Sequence, residues 1–63
     1  MKFWAVKLTN GRIITTLYQG KASDKKIDEA YSNDLIADVI ESIEAKDLKT
    51  AVKIAKKEFN DND

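Results

Sequence analysis

One dipeptide, Asn10-Gly11, does most to restrict what this chain can fold into. It lies between two runs rich in β-branched and aromatic residues, Phe3 to Thr9 and Arg12 to Gln19. Asn-Gly is the favoured pair for a two-residue type I′ turn, because both central positions need φ > 0. An N-terminal β-hairpin is therefore expected. A two-residue turn also sets a register, with Thr9 facing Arg12, Leu8 facing Ile13, Val6 facing Thr15 and Trp4 facing Leu17. Side chains alternate across a sheet, so Trp4, Val6, Leu8, Ile13, Thr15 and Leu17 would share one face, the expected core side. Phe3, Ala5, Lys7, Arg12, Ile14, Thr16 and Tyr18 would share the other.

Beyond the hairpin, Gly20 ends the second strand. Ser23 to Tyr31 reads as a short helix, capped by Ser23 or Asp24, with Ile27, Ala30 and Tyr31 on its apolar side. Asp47 is a good N-cap for a second helix, in which Leu48, Ala51, Val52, Ala55 and Phe59 recur at helical spacing. Leu35 to Ala45 admits two readings. As a helix it gathers Leu35, Ile36, Val39, Ile40 and Ile43 on one face, opposite Asp34, Asp38, Glu41 and Glu44. As a strand it puts Val39, Ile43 and Ala45 on one side, interrupted by Glu41. The helical stripe would not continue into Leu48 onward, and no glycine or proline marks a corner. A third strand would complete a sheet, since an isolated hairpin is marginal. The expectation is thus an α+β domain with a three-stranded antiparallel sheet in ββαβα order, packed by a C-terminal amphipathic helix. Residues 1–59 would form this single domain and residues 60–63 a frayed acidic tail.

At 63 residues without cysteine, the chain has neither disulfide nor Cys-ligated zinc to staple it. Its stability rests on packing or on a partner, and self-association is one way to supply the latter. Histidine is absent, which removes the side chain most used as a base near neutral pH and the commonest metal ligand. Glycine occurs only at Gly11 and Gly20, so no phosphate-cradling loop can be built. Ser23-Asp24-Lys25-Lys26 matches Ser-x-x-Lys, but it lacks the companion elements of that enzyme class and reads as a helix start. Asp34, Asp38 and Glu41 would converge on a cation only if their segment were helical, and read as a solvated face. We therefore expect no enzyme, no cofactor and no metal site. No apolar run approaches the roughly 20 residues of a membrane span, and a cytoplasmic setting without a membrane partner is expected.

Net charge is +0, yet it is laid out in blocks. Up to Lys26 the chain is basic but for Asp24, from Ile27 to Ala45 it is wholly acidic, and from Lys46 to Lys57 it is basic again apart from Asp47. Such alternation suits complementary packing better than a polyanion footprint. Two surfaces stand out. On the outer hairpin face, Phe3, Lys7, Arg12 and Tyr18 interleave aromatics with bases, an arrangement that could stack and neutralise a single strand. Lys46, Lys49, Lys53, Lys56 and Lys57 form a basic flank on the last helix, by default a solvated one. The leading expectation is a small protein-binding or regulatory module, of phage or mobile-element type, acting on an unknown protein partner. A nucleic-acid-binding domain is the alternative.

Lys2-Phe3-Trp4-Ala5-Val6-Lys7, the strand from Gly11 to Thr16 and the helix within Ala45 to Ala55 loosely resemble the hybrid-binding domain at the N-terminus of some ribonucleases H. That resemblance implies a three-stranded antiparallel sheet with two helices. The family's base-stacking tryptophan would fall near Leu17, and its basic-aromatic third strand on Glu41 to Ile43. Lys2 to Ala5 and Ala45 to Phe59 also look similar to small phage inhibitors of host RNA polymerase.

Overall fold

The computed structural model describes residues 1–61. Its elements follow the expected ββαβα order: β1 (Lys2–Leu8), β2 (Ile13–Leu17), α1 (Lys21–Tyr31), β3 (Ile36–Glu44) and α2 (Leu48–Asp61). The strands form one antiparallel sheet in the order β2-β1-β3. Leu35 to Ala45 is thus a strand for most of its length, and α+β is the fold class. α2 runs through Asn60 and Asp61, where a frayed tail was expected to begin; the rest of that tail lies outside the described residues. No described helix is long and apolar enough to cross a membrane.

The hairpin is present, but its register differs from the expected one by a residue. Phe3 pairs with Leu17, Ala5 with Thr15 and Lys7 with Ile13. The turn explains the shift. Asn10 does not have positive φ, so the turn is not type I′; only Gly11 is left-handed, at φ 91°. Gly11 N–H donates to Leu8 O at 2.9 Å, and Leu8 N–H donates to Arg12 O at 2.7 Å. Thr9, Asn10 and Gly11 thus form a three-residue loop with glycine at the bulge position, the next most common hairpin connection. Asn10 contributes its side chain instead, its Oδ1 accepting from Arg12 N–H at 2.9 Å.

A one-residue slip moves every side chain of one strand to the other face. Ile13, Thr15 and Leu17 therefore join Phe3 and Ala5, and Thr16 and Tyr18 join Trp4 and Val6. Both faces are then covered, where the sequence suggested one core side and one outer side. α2 lies on the Phe3 face, where Phe3, Ala5, Ile43, Ala45, Ala51, Ala55 and Phe59 form a buried cluster. α1 lies on the Trp4 face, where Trp4, Val6, Ile27 and Ala30 form a second. β1 is the central strand, and its Phe3-Trp4-Ala5-Val6 run is buried on both sides. Strands enclosed on both faces read as continuous apolar runs rather than alternating ones.

β3 serves both clusters by changing phase. Phe3 pairs with Ile43 but Ala5 with Ile40, so Glu41 and Ser42 together oppose Trp4. This bulge is the physical content of Glu41's interruption of the strand pattern: Val39 packs toward α1, Ile40 and Ile43 toward α2. α1 begins at Lys21, two residues before the expected start, with Gly20 as its N-cap at φ 65°. Ser23 is a buried residue of the first turn, its Oγ accepting from Gln19 N–H at 2.6 Å.

Two mutational outcomes follow from this geometry. Phe3→Ala should cost about 3–5 kcal/mol, as for any large aromatic lost from a core; urea unfolding within about 1 kcal/mol of wild type would refute the two-sided core. Gly11→Ala should lower Tm by more than Asn10→Ala, since only Gly11 carries positive φ and Asn10 contributes only its side-chain hydrogen bond. Equal losses at both positions, read by circular dichroism, would restore the two-residue turn.

Candidate functional site

The four residues expected to form a binding face do not share one. Phe3 is buried under α2 at 3% exposure. Lys7 is half-buried on the same side of the sheet, between Ile13 and Asp38 in the register. Arg12 is exposed at the end of the hairpin loop. Tyr18 lies on the opposite side, half-buried, its hydroxyl donating to Asp24 Oδ1 at 2.6 Å with Lys2 Nζ 4.3 Å from its ring centroid. That bond holds the Tyr18 proton: a neighbouring carboxylate as acceptor pushes the phenol above its usual pKa. Tyr31 does the same from the far end of α1, donating to Glu41 Oε1 at 3.0 Å, and its pKa is raised too. The two tyrosines tie α1 to the sheet at its start and its end.

Of the residues expected to form a basic flank on the last helix, Lys49, Lys53, Lys56 and Lys57 lie on α2, while Lys46 precedes its first residue, Leu48. Lys46, Lys49, Lys53, Lys56 and Lys57 are all exposed. Asp34, Asp38 and Glu41 fall in a turn and along β3 rather than on one helix face, and no group of three or more carboxylates among the described residues is placed to hold a metal.

The feature that sequence reasoning missed is the outer edge of β2. In an antiparallel pair, every second residue bonds its neighbour strand and the others point their N–H and C=O groups outward. Leu8 N–H bonds Arg12 O, and Tyr18 N–H bonds Lys2 O at 2.9 Å. By that two-residue period Ile14 and Thr16 face β1, while Ile13, Thr15 and Leu17 present their backbone groups to the open edge. The strand between Arg12 and Tyr18 holds no charge, proline or glycine. Ile14 is 42% exposed, because α1 packs over β3 rather than β2.

An apolar groove of about 460 Å³ runs beside this edge on the α2 side, lined by Met1, Phe3, Thr15, Leu17, Asp47 and Leu48 among others. Met1 is 61% and Leu48 51% exposed. Leu48 belongs to the apolar stripe of α2 but stands in its first turn, at the mouth of this groove. Thr15 Oγ1, like Trp4 Nε1 on the other face of the sheet, is enclosed and has no hydrogen-bond partner among the described residues, an arrangement that desolvates a polar group without compensation. Asp47 closes the groove and caps α2: its Oδ1 accepts from Thr50 N–H at 2.8 Å.

β3, the other edge, is defended. It carries Asp38, Glu41 and Glu44, and its register breaks twice. Val39, which faces Val6 at a position whose N–H points outward, has that N–H taken by Asp38 Oδ1 at 2.8 Å. Charges, bulges and side-chain caps are the means by which sheet edges avoid pairing, and β2 has none of them along its length.

No protein-family model matches the chain, and no curated protein or solved structure matches it significantly.

The Asp47 cap gives a pH-dependent prediction. Hydrogen bonding from Thr50, with a smaller attraction from Lys53, holds the Asp47 carboxyl below its ordinary value. A depressed carboxyl pKa contributes stability that is full above the unfolded value of about 3.9 and is lost as pH falls through the lower folded value. Asp47→Ala should therefore melt below wild type at neutral pH, with the gap narrowing only in strong acid. A gap unchanged down to the acid limit of folding would show that the carboxylate charge contributes nothing.

Proposed function

We propose that this chain is a small protein-binding module that takes an extended segment of a partner along the outer edge of β2. The observation that carries the reading is the contrast between the two edges of the sheet. β3 is charged, bulged and side-chain capped, whereas β2 presents the outward backbone groups of Ile13, Thr15 and Leu17 in an uncharged strand. Strand addition supplies main-chain hydrogen bonds for affinity and uses flanking pockets for specificity. The groove at Met1, Phe3, Leu17 and Leu48 is such a pocket, one residue step from the edge. A regulatory role suits this mode, since the module acts by occupying a segment rather than by transforming it.

Nucleic acid is the weaker reading. Base stacking needs accessible aromatic faces, and Phe3 is enclosed while Tyr18 is held by Asp24 on the opposite side of the sheet.

The test is titration of isotope-labelled protein, kept dilute, with an end-blocked peptide of residues 12–18. Amide shifts and slowed exchange at Ile13, Thr15 and Leu17 are expected, with Ile14 and Thr16 changing little. A response confined to the lysines of α2, or none, would overturn the proposal.

A further inference from the structure

Resting on that reading of the β2 edge, we infer that the strand it accepts is β2 of a second copy of this chain, paired antiparallel about a two-fold axis through Thr15. A two-fold interface requires a surface complementary to itself. β2 meets this requirement residue by residue. With the axis at Thr15, Ile13 faces Leu17 of the second copy, Leu17 faces its Ile13, and Thr15 faces Thr15. All three are the residues whose N–H and C=O groups point outward, so each of these pairs exchanges two main-chain hydrogen bonds. On the opposite face Ile14 meets Thr16, a contact that covers the exposed Ile14 side chain.

The second observation is Thr15 Oγ1: of the two enclosed side-chain polar atoms without a hydrogen-bond partner among the described residues, the other being Trp4 Nε1, it is the one that lies on β2. Opposite threonines on paired strands hydrogen-bond through their hydroxyls. With the axis at Thr15 the two threonine side chains face each other, and a χ1 rotation would let their hydroxyls pair. The same pairing seats Ile13 of the second copy beside Leu17, at the groove formed with Met1, Phe3 and Leu48. Charge does not oppose the association, because the chain has net charge +0 and β2 holds no ionised side chain. The acidic β3 edge would face its own carboxylates in a like arrangement, which excludes it as the self-pairing edge.

Sedimentation of the full chain from micromolar to millimolar concentration, with amide exchange measured at both ends of that range, tests the inference. The expected result is a concentration-dependent dimer in which Ile13, Thr15 and Leu17 exchange rapidly when dilute and slowly when concentrated. Ile14 and Thr16, bonded to β1 throughout, stay protected. Ile14→Lys, at an exposed site that leaves the fold intact by circular dichroism, should weaken the dimer at least about tenfold. A dimer whose Ile13, Thr15 and Leu17 amides remain fast uses another surface and overturns the proposal. So does a dimer indifferent to Ile14→Lys. A monomer at all concentrations that is protected at these amides only by the 12–18 peptide overturns self-pairing and leaves strand addition standing. A monomer that ignores the peptide overturns both.

Discussion

The placement of β1 between two strands and two helices is the constraint from which the rest of the structure follows. Phe3, Trp4, Ala5 and Val6 are all buried, so the strand contributes side chains to two clusters rather than one. A chain of this size gains little from a single-sided sheet, because half of each strand would stay in water. Covering both faces turns four consecutive residues into core. The ordering β2-β1-β3 is the one arrangement of three strands that puts this run in the middle, and it obliges the chain to cross from β2 to β3 over one face. α1 makes that crossing. Its Ile27 and Ala30 close the Trp4 side, and the Tyr18–Asp24 and Tyr31–Glu41 bonds fix it there.

Two small helices cannot cover the sheet evenly. α1 lies over β3, while α2 lies mainly over β2 and reaches across to β1 and β3. The bulge at Glu41-Ser42 lets β3 feed both clusters and keeps two polar residues at the point where the phase changes. β2 receives less. Of its five residues none is fully buried, and its outer edge carries no protective device. The asymmetry of the two edges is thus a consequence of where the helices fall, and not of the strands' lengths.

Much of this was legible in the sequence. The element order, the three strands, the Asp47 cap and the Ala51/Ala55/Phe59 face of α2 all follow from local patterns that packing reinforces. The hairpin register was not legible, because Asn-Gly serves both two- and three-residue loops, and the choice rests on whether Asn10 or only Gly11 adopts positive φ. That single ambiguity reverses which β2 residues join Phe3, and it accounts for the expectation that Phe3, Lys7, Arg12 and Tyr18 share a surface. The Phe3-to-Val6 run did carry a signal for two-sided burial. Alternation in β2 competed with it, and a rule that assumes one wet face gave it the wrong meaning. Where α1 begins was obscured for a different reason: Gly20 caps by its backbone, so the hydroxyl of Ser23 was available for Gln19 instead.

The β2 edge lies beyond any reading of single residues, because an edge is a property of strand order. Nothing in Ile13-Ile14-Thr15-Thr16-Leu17 distinguishes a strand enclosed between two neighbours from one with a single neighbour. Once the order is known, the same composition changes its meaning. Uncharged β-branched residues are ordinary inside a sheet and hazardous at its margin, where they template further pairing. A chain that defends β3 with carboxylates and a capped N–H, yet leaves β2 bare, has its two margins under different physical constraints. Either β2 is covered by something in use, or the protein carries an aggregation site along a tenth of its length or so. Of the two enclosed polar atoms without a partner among the described residues, Trp4 Nε1 belongs to the cluster under α1, whereas Thr15 Oγ1 stands on the one strand whose margin is bare, where a paired edge would offer it a partner.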